Sequence, residues 1–289
     1  GVGISFRSNV MFETPLLLPQ YQDKYGMGSA GNYPSDYTDL ETFKTNSGSW
    51  GGEMDGSNQM YWTEPNWDGV PSTRAYSAEP NNVKDFFRTG NNIVNTLTLE
   101  GGSDKYSLRF SFTDNSAAGI VPESDMGRQN FNIRAFAKPA DFFSVDAKVT
   151  YFTQENSHRP YQGTEGIMAY LYTIPRNVAI EDLEDNYQNP TNYASTSHAT
   201  LGANPYFLLY NDVNDDTRTR TIGFVKGTFE ITDFLSAFVR LGTDALTQTI
   251  EVIHATGHHY WPGGSINFNT RKVNETNSDF LLMFDKEIA

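Results

Sequence analysis

Eight segments of this chain alternate apolar with polar residues along their whole length. The segment 143–151 shows the pattern most clearly, because Ser144, Asp146, Lys148 and Thr150 separate five apolar residues. A period of two residues predicts a β-strand with one apolar face and one polar face. We therefore expect a lipid-facing row in this strand, made of Phe143, Val145, Ala147, Val149 and Tyr151.

The other segments with this pattern combine with 143–151 into hairpins. Short connections at 101–105, 138–142 and 231–234 carry the Gly, Ser and Asp residues that tight turns require. The segments predicted as strands are 3–13, 93–100, 106–114, 131–137, 143–151, 219–230, 235–244 and 273–285.

The connections between hairpins are much longer, near 14–92, 115–128, 156–218 and 255–272. Outer-membrane barrels sort their connections in this way, with short periplasmic turns and longer extracellular loops. Strands of about ten residues also suit a tilted crossing of a bilayer, whereas soluble strands average about five or six. The pattern predicts an all-β fold, an antiparallel transmembrane β-barrel.

Composition is compatible with this fold. The chain of 289 residues has no Cys and a net charge of −14, and such an acidic balance argues against a nucleic-acid partner. It contains no run of about eighteen apolar residues, which excludes a transmembrane helix. A barrel needs no high mean hydropathy, because only alternate strand residues face lipid.

We expect this sequence to be either a processed chain or a piece of a longer protein, and the length of the connections favours a piece. It begins with Gly1 and has no signal segment nearby. Eight strands close only a narrow barrel, and the long connections are too large to sit over its interior. A wall segment of a wider barrel is therefore expected.

Several short motifs in register resemble those of one family, the SusC/RagA-type TonB-linked outer-membrane transporters. The resemblance spans essentially the whole chain. The motifs are the first strand 1–13, Trp50-Gly51 with Asp55-Gly56, the segment 80–90, Gly119-Ile120-Val121-Pro122, Ile174-Pro175-Arg176-Asn177 and Asn204-Pro205-Tyr206.

The resemblance implies that residues 1–289 belong to the β-barrel domain of a TonB-dependent receptor, as about eight strands of a plugged barrel of about 22 strands. It implies outer-membrane import of a bulky oligosaccharide or peptide by a multi-pass protein of a Gram-negative bacterium. The implied partners are a SusD-like surface lipoprotein, the TonB–ExbB–ExbD complex acting through a plug, and outer-membrane lipid. The plug and the remaining barrel lie outside this sequence.

Aromatic residues in the first long connection are the candidates for contact with a substrate or a partner. Flat rings beside amides and hydroxyls suit sugar stacking, and Trp and Tyr are also enriched at protein interfaces. Packing of the connection on itself is the third interpretation. The candidates are Tyr61, Trp62, Trp67 and Tyr76. A short helix is expected over 165–172, with apolar residues that pack the second long connection against the rest of the protein.

Metal and catalytic chemistry find little support. The run Asp212-x-Asn214-x-Asp216 opens like a calcium loop, but Thr217 stands where that loop needs Gly. His254, His258 and His259 offer imidazoles, yet spacing alone does not make a metal site. No nucleophile elbow, phosphate loop or zinc-protease motif occurs, so we expect no enzyme and no cofactor.

One alternative from another class remains. A soluble β-sandwich on the cell surface, binding carbohydrate or protein, would share the acidic and aromatic composition. It would pack its apolar strand face against a second sheet.

Overall fold

The computed structural model describes residues 1–63, 71–164, 166–199 and 202–286, and its main element is a large antiparallel sheet. Eight strands form it, in the order β1-β4-β5-β6-β7-β8-β9-β10. Its strands are β1 (Val2–Glu13), β4 (Gly90–Gly102), β5 (Tyr106–Ala118), β6 (Asp125–Ala140), β7 (Phe143–Ser157), β8 (Val213–Thr232), β9 (Leu235–His254) and β10 (Ser265–Phe284). Two short strands, β2 (Asn58–Tyr61) and β3 (Ser72–Ala75), pair separately.

Each strand of the sheet is hydrogen-bonded to the next one along the chain, with β2 and β3 set aside. β1 and β10 form the two edges and do not pair with each other, so the described residues form an open sheet. The prediction of an all-β antiparallel fold with about eight strands is confirmed, and the sheet is consistent with a fragment of a barrel.

The strands extend further than the alternation predicted. The connection expected over 115–128 is reduced to 119–124, and that expected over 255–272 is reduced to 255–264. The strand β8 also begins earlier than predicted, at Val213. Both faces of β8 are polar at Asn214-Asp215-Asp216, so the period of two is hidden there. Pairing with β9 across Val213↔Ile253 and Asp216↔Ile250 defines these residues as strand instead.

All short turns lie at one end of the sheet, at 103–105, 141–142 and 233–234. The last two share the sequence Asp-Phe and each follows a register shift, between Ala137 and Ala140 and between Glu230 and Thr232. A shift of this kind re-aims the strand just before it turns. All long connections therefore meet at the opposite end.

At that opposite end, residues 14–63 and 71–89 pack with residues 158–164, 166–199 and 202–212 into a unit that we call the cap. It contains a 3₁₀ turn (Pro34–Asp36) and the helices α1 (Leu40–Thr45), α2 (Asn82–Asp85), α3 (Ile167–Leu171), α4 (Ile180–Asp185) and α5 (Pro205–Asn211). Asp39 begins α1 by accepting a hydrogen bond from Thr42 N at 2.7 Å, as an N-cap residue does.

The cap has its own apolar core. α3 falls within the helix predicted over 165–172, and its Ile167 and Leu171 are buried; Glu165 lies outside the described residues. The largest side chains of this core are Trp62, Phe43, Phe86, Phe207, Met27, Leu171, Ile174, Leu183 and Leu209. None of the described helices is long and apolar enough to cross a membrane.

Candidate functional site

One face of the sheet carries apolar side chains on most of its strands, with polar residues such as Thr243 and Thr276 near the β10 edge. Cross-strand partners lie on the same face, and Val149 is opposite Ile133 and Gly223. The next row down centres on Ala147, which is opposite Ala135 and Val225. The predicted lipid-facing residues of β7 thus share one face with the apolar residues of both neighbouring strands.

This apolar face is exposed rather than covered. Ile4, Val225 and Leu241 expose 73%, 54% and 58% of their surface. In β6 the apolar face is the exposed one and the polar face is half-buried, since Phe131 and Ile133 are exposed while Asn130 and Asn132 are not. A soluble protein rarely exposes a continuous apolar surface of this width.

The opposite face carries ion pairs between neighbouring strands. Arg134 and Asp146 join β6 to β7 at 2.8 Å, with a second bond of 3.1 Å through Nε. Arg240 and Asp279 join β9 to β10 at 2.6 Å, and Arg220 pairs with Asp244 between β8 and β9. We call this surface the polar face.

Five of the six motifs that carry the family resemblance lie in the cap or against it. Arg176, from the second long connection, is buried and donates to Asn82 Oδ1 at 2.5 Å and to Pro80 O at 2.7 Å. Asn82 Nδ2 in turn donates to Pro175 O at 3.0 Å and Val178 O at 2.9 Å. This reciprocal network ties the two long connections together.

The motif Trp50-Gly51 packs beside the hydrogen-bond network of Arg176 and Asn82. Gly51 has no room for a side chain, because a Cβ there would lie 2.6 Å from Met27 O and 2.7 Å from Tyr76 Oη. Met27 N donates to Asn177 Oδ1 at 2.6 Å. The motif therefore serves close backbone packing within the cap.

The aromatic candidates Tyr61, Trp62 and Tyr76 are buried, with 5%, 1% and 1% of their surface exposed. This placement contradicts contact with a substrate or a partner in this conformation and agrees with the third interpretation, self-packing. Tyr76 Oη donates to Met27 O at 2.9 Å, and burial raises the pKa of the Tyr76 phenol. Trp67 lies outside the described residues.

Asp182 belongs to the acidic run 181–185, which reads as a solvated surface in the sequence. The structure gives it a specific role, since it accepts a hydrogen bond from Tyr61 Oη at 2.8 Å and pairs with Arg74. Tyr61 Oη also accepts from Ala179 N at 3.3 Å. No local sequence signal marks Asp182, because both partners are more than a hundred residues away.

Asp212, His254 and His258 converge although they belong to two motifs that were separate in the sequence. Their ligand atoms lie within 4.8 Å of one another. The Asp212 carboxylate accepts from His254 Nδ1 at 2.8 Å and from Ala255 N at 3.0 Å, and His258 Nε2 lies 3.3 Å from it.

The hydrogen bonds of this cluster favour a clamp rather than a metal site. Tyr260 N donates to His258 Nδ1 at 3.0 Å, so the neutral ring carries its proton on Nε2 and donates towards Asp212. A metal ligand at Nε2 would need that nitrogen free of its proton. The clamp holds the β9–β10 connection against the end of α5. His259 is not part of it. In the Asp-x-Asn-x-Asp run the carboxylates of Asp212 and Asp216 accept hydrogen bonds from protein donors, and Asn214 Nδ2 donates to Arg159 O.

Comparison with known proteins shows similarity at the level of the fold. No family model matches the chain, and no curated protein matches its sequence. A solved structure described as "Structure of the RagAB peptide importer in the 'closed-closed' state" aligns with 97% of this chain at a TM-score of 0.56 and 15% identity. The chain spans about a third of the length of that protein, covering 32% of it. At this identity the likeness shows that both share a fold of strands and long connections.

Proposed function

We propose that this chain is part of the wall and the extracellular cap of an outer-membrane importer. The single observation that carries the proposal is the distribution of residues on the sheet. One face has exposed apolar rows, and the other has polar rows joined by ion pairs. In a barrel wall such rows face lipid and lumen respectively. The sorting of short turns and long connections to opposite ends supports the same assignment.

In this proposal the cap lies on the extracellular side and the turns at 103–105, 141–142 and 233–234 lie in the periplasm. Phe143, Val145, Ala147, Val149 and Tyr151 then contact outer-membrane lipid. The cargo is a bulky oligosaccharide or peptide. A SusD-like lipoprotein covers the cap, and the TonB–ExbB–ExbD complex supplies energy through a plug. The solved neighbour is named as a peptide importer, which supports this class of function.

The rival β-sandwich requires a second sheet over the apolar face. Among the described residues the other sheet is the pair β2–β3, whose strands have four residues each and whose Tyr61 belongs to the cap core. It leaves Val225 and Leu241 exposed. The structure therefore gives the sandwich no specific support.

Outer-membrane fractionation of the full-length protein tests the proposal, combined with extraction in the presence and absence of detergent and mass spectrometry of copurifying proteins. We expect recovery only with detergent, together with a surface lipoprotein. A monodisperse protein in plain buffer would contradict the membrane assignment. Recovery with detergent but without any lipoprotein would retain the barrel and remove the proposed lid.

A further inference from the structure

One row of the polar face has an unusual composition. The strand register places Arg128, Gln154, Arg218, Gln248 and Arg271 directly opposite one another on five successive strands, β6 to β10. We call these five residues the arginine row. Neighbouring strands are about 4.8 Å apart, so the arginines, two strands apart, recur about every 10 Å.

The charge of this row is not neutralised by carboxylates among the described residues. Arg128, Arg218 and Arg271 have no salt bridge there, in contrast to Arg134, Arg220 and Arg240 on the same face. Asp216 precedes Arg218 by two residues, but its Oδ1 already accepts from Asn156 and Arg159, each at 2.8 Å. Three guanidinium groups thus stand in line within a chain whose net charge is −14.

The guanidinium groups are also poorly supplied with hydrogen-bond acceptors. The Nε of Arg218 is buried and has no hydrogen-bond partner within the described residues. Arg128 lies over the ring of Phe152, 4.7 Å from its centroid, an arrangement that occupies the face of the guanidinium and leaves its N–H edge open. A buried donor without an acceptor is costly. Nε of Arg218 is closed to a solute in this conformation, so an oxyanion from outside the chain would bind at the outer N–H groups of the guanidinium.

From this geometry we infer that the arginine row binds the carboxylate groups of an elongated, acidic solute. Planar guanidinium groups donate two parallel hydrogen bonds to a carboxylate. The intervening amides of Gln154 and Gln248 supply donors and acceptors for neutral groups between the charges. In each strand the arginine row lies in the third that adjoins the long connections. A solute that has passed the cap therefore contacts this row before the rest of the polar face. This inference rests on the proposed function and narrows its cargo to acidic oligomers.

Direct binding to the detergent-solubilised full-length protein tests the inference. The probes are fluorescein-labelled oligoglutamate and oligogalacturonate, which share carboxylates on different backbones, with a neutral malto-oligosaccharide and a Gly/Ser peptide as references. We expect at least one acidic probe to bind more tightly than its neutral reference. The better of the two acidic probes identifies the backbone as peptide or saccharide.

Substitutions within the row sharpen the test. Arg271→Gln and Arg218→Gln should each weaken the acidic probe about tenfold, the worth of one charged hydrogen-bonding partner, without changing the neutral references. Lys148→Gln is the matched control, because it removes one positive charge from the same face away from the row and breaks no observed salt bridge. Arg271 has no salt bridge within the described residues, so its substitution removes a charge without breaking an ion pair of this part of the protein.

Equal binding of acidic and neutral probes would overturn the inference, and so would an equal loss with Lys148→Gln and Arg271→Gln, which indicates general charge attraction. Both results leave the proposed function standing if the protein is still recovered only with detergent. Recovery in plain buffer would instead remove the proposed function itself.

Discussion

The sheet and the cap use apolar residues in opposite ways within one chain. In the cap, Phe207 and Leu183 are fully buried among helices and loops, as in a water-soluble domain. In the sheet, Ile133 and Val225 are exposed on one face, and the ion pairs lie on the opposite face. Under the proposed function this difference means that the two regions are built for different solvents, water around the cap and lipid around the apolar face of the sheet.

Two tryptophans of the first long connection give the largest expected contrast within the cap. Trp62→Ala removes a fully buried ring and should cost about 3–5 kcal/mol of cap stability through the cavity that it leaves. Trp50 is 64% exposed, so Trp50→Ala should change stability by less than about 0.5 kcal/mol. Hydrogen exchange of cap amides measures both. Similar losses for the two variants would show that the cap core is not organised as described.

Adjacent residues of β7 compare the two faces of the sheet. Ala147→Arg places a charge on the apolar face and should destabilise the membrane-inserted protein by about 2–4 kcal/mol if the position is near the bilayer midplane. Lys148→Gln, on the polar face, should be nearly neutral. Unfolding of the full-length protein by denaturant in lipid vesicles measures both. Equal tolerance at the two positions would count against a lipid-facing row.

Burial of His198 makes the cap sensitive to mild acid. Burial lowers the pKa of His198 to about 4, and the Lys44 charge acts in the same direction. Between pH 6.5 and about 4, the unfolded state therefore binds a proton at His198 that the folded state does not bind. The free energy of unfolding should therefore fall by about 3 kcal/mol from pH 7 to pH 4.

His198→Asn should flatten this dependence, measured as hydrogen-exchange protection of the cap across that range. His259→Asn, a histidine outside the buried clamp, is the control and should keep the slope of the parent. An unchanged slope in His198→Asn would assign the acid sensitivity to other groups.

The smallest expected effect concerns the helix starts in the cap. Asn204 begins α5, and its Oδ1 accepts from Tyr206 N at 2.9 Å while Nδ2 donates to Leu183 O at 2.8 Å. Asn204→Ala should cost about 1–2 kcal/mol because both bonds are lost. Asn81 begins α2 without a side-chain bond, so Asn81→Ala should cost only a few tenths. Proteolytic cleavage rates of the cap compare the two variants, and equal rates would rule out the capping role.

Much of the sheet could be predicted from local sequence. Alternation marks both β6 and β7, and Gly101-Gly102 with the two Asp-Phe pairs marks the turns. The start of β8 is not predicted, because Asn214, Asp215 and Asp216 are polar on both faces of the strand and only pairing with β9 makes them strand. The period of two depends only on residues that are neighbours in the chain, whereas strand pairing depends on a second segment.

The cap was harder to predict for the same reason. Tyr61, Trp62 and Tyr76 have the residue types of a binding surface, but they pack with residues far away in the chain. Tyr61 contacts Ala179 and Asp182, more than a hundred positions later, and Tyr76 contacts Met27, about fifty positions earlier. The Asp212 clamp likewise joins two motifs that looked weak separately. Nothing near either motif in the chain reveals their approach.

The sequence by itself determined which residues can lie on the apolar face of each strand and on which end the connections are short or long. These features follow from side-chain chemistry and strand geometry at single segments. Only the tertiary structure decided that the loop aromatics form a buried core, that Asp212 meets His254, and that three arginines align across five strands. Register and loop packing depend on contacts between distant segments. Each contact contributes its free energy only when both segments are in place, so neither segment predicts it alone.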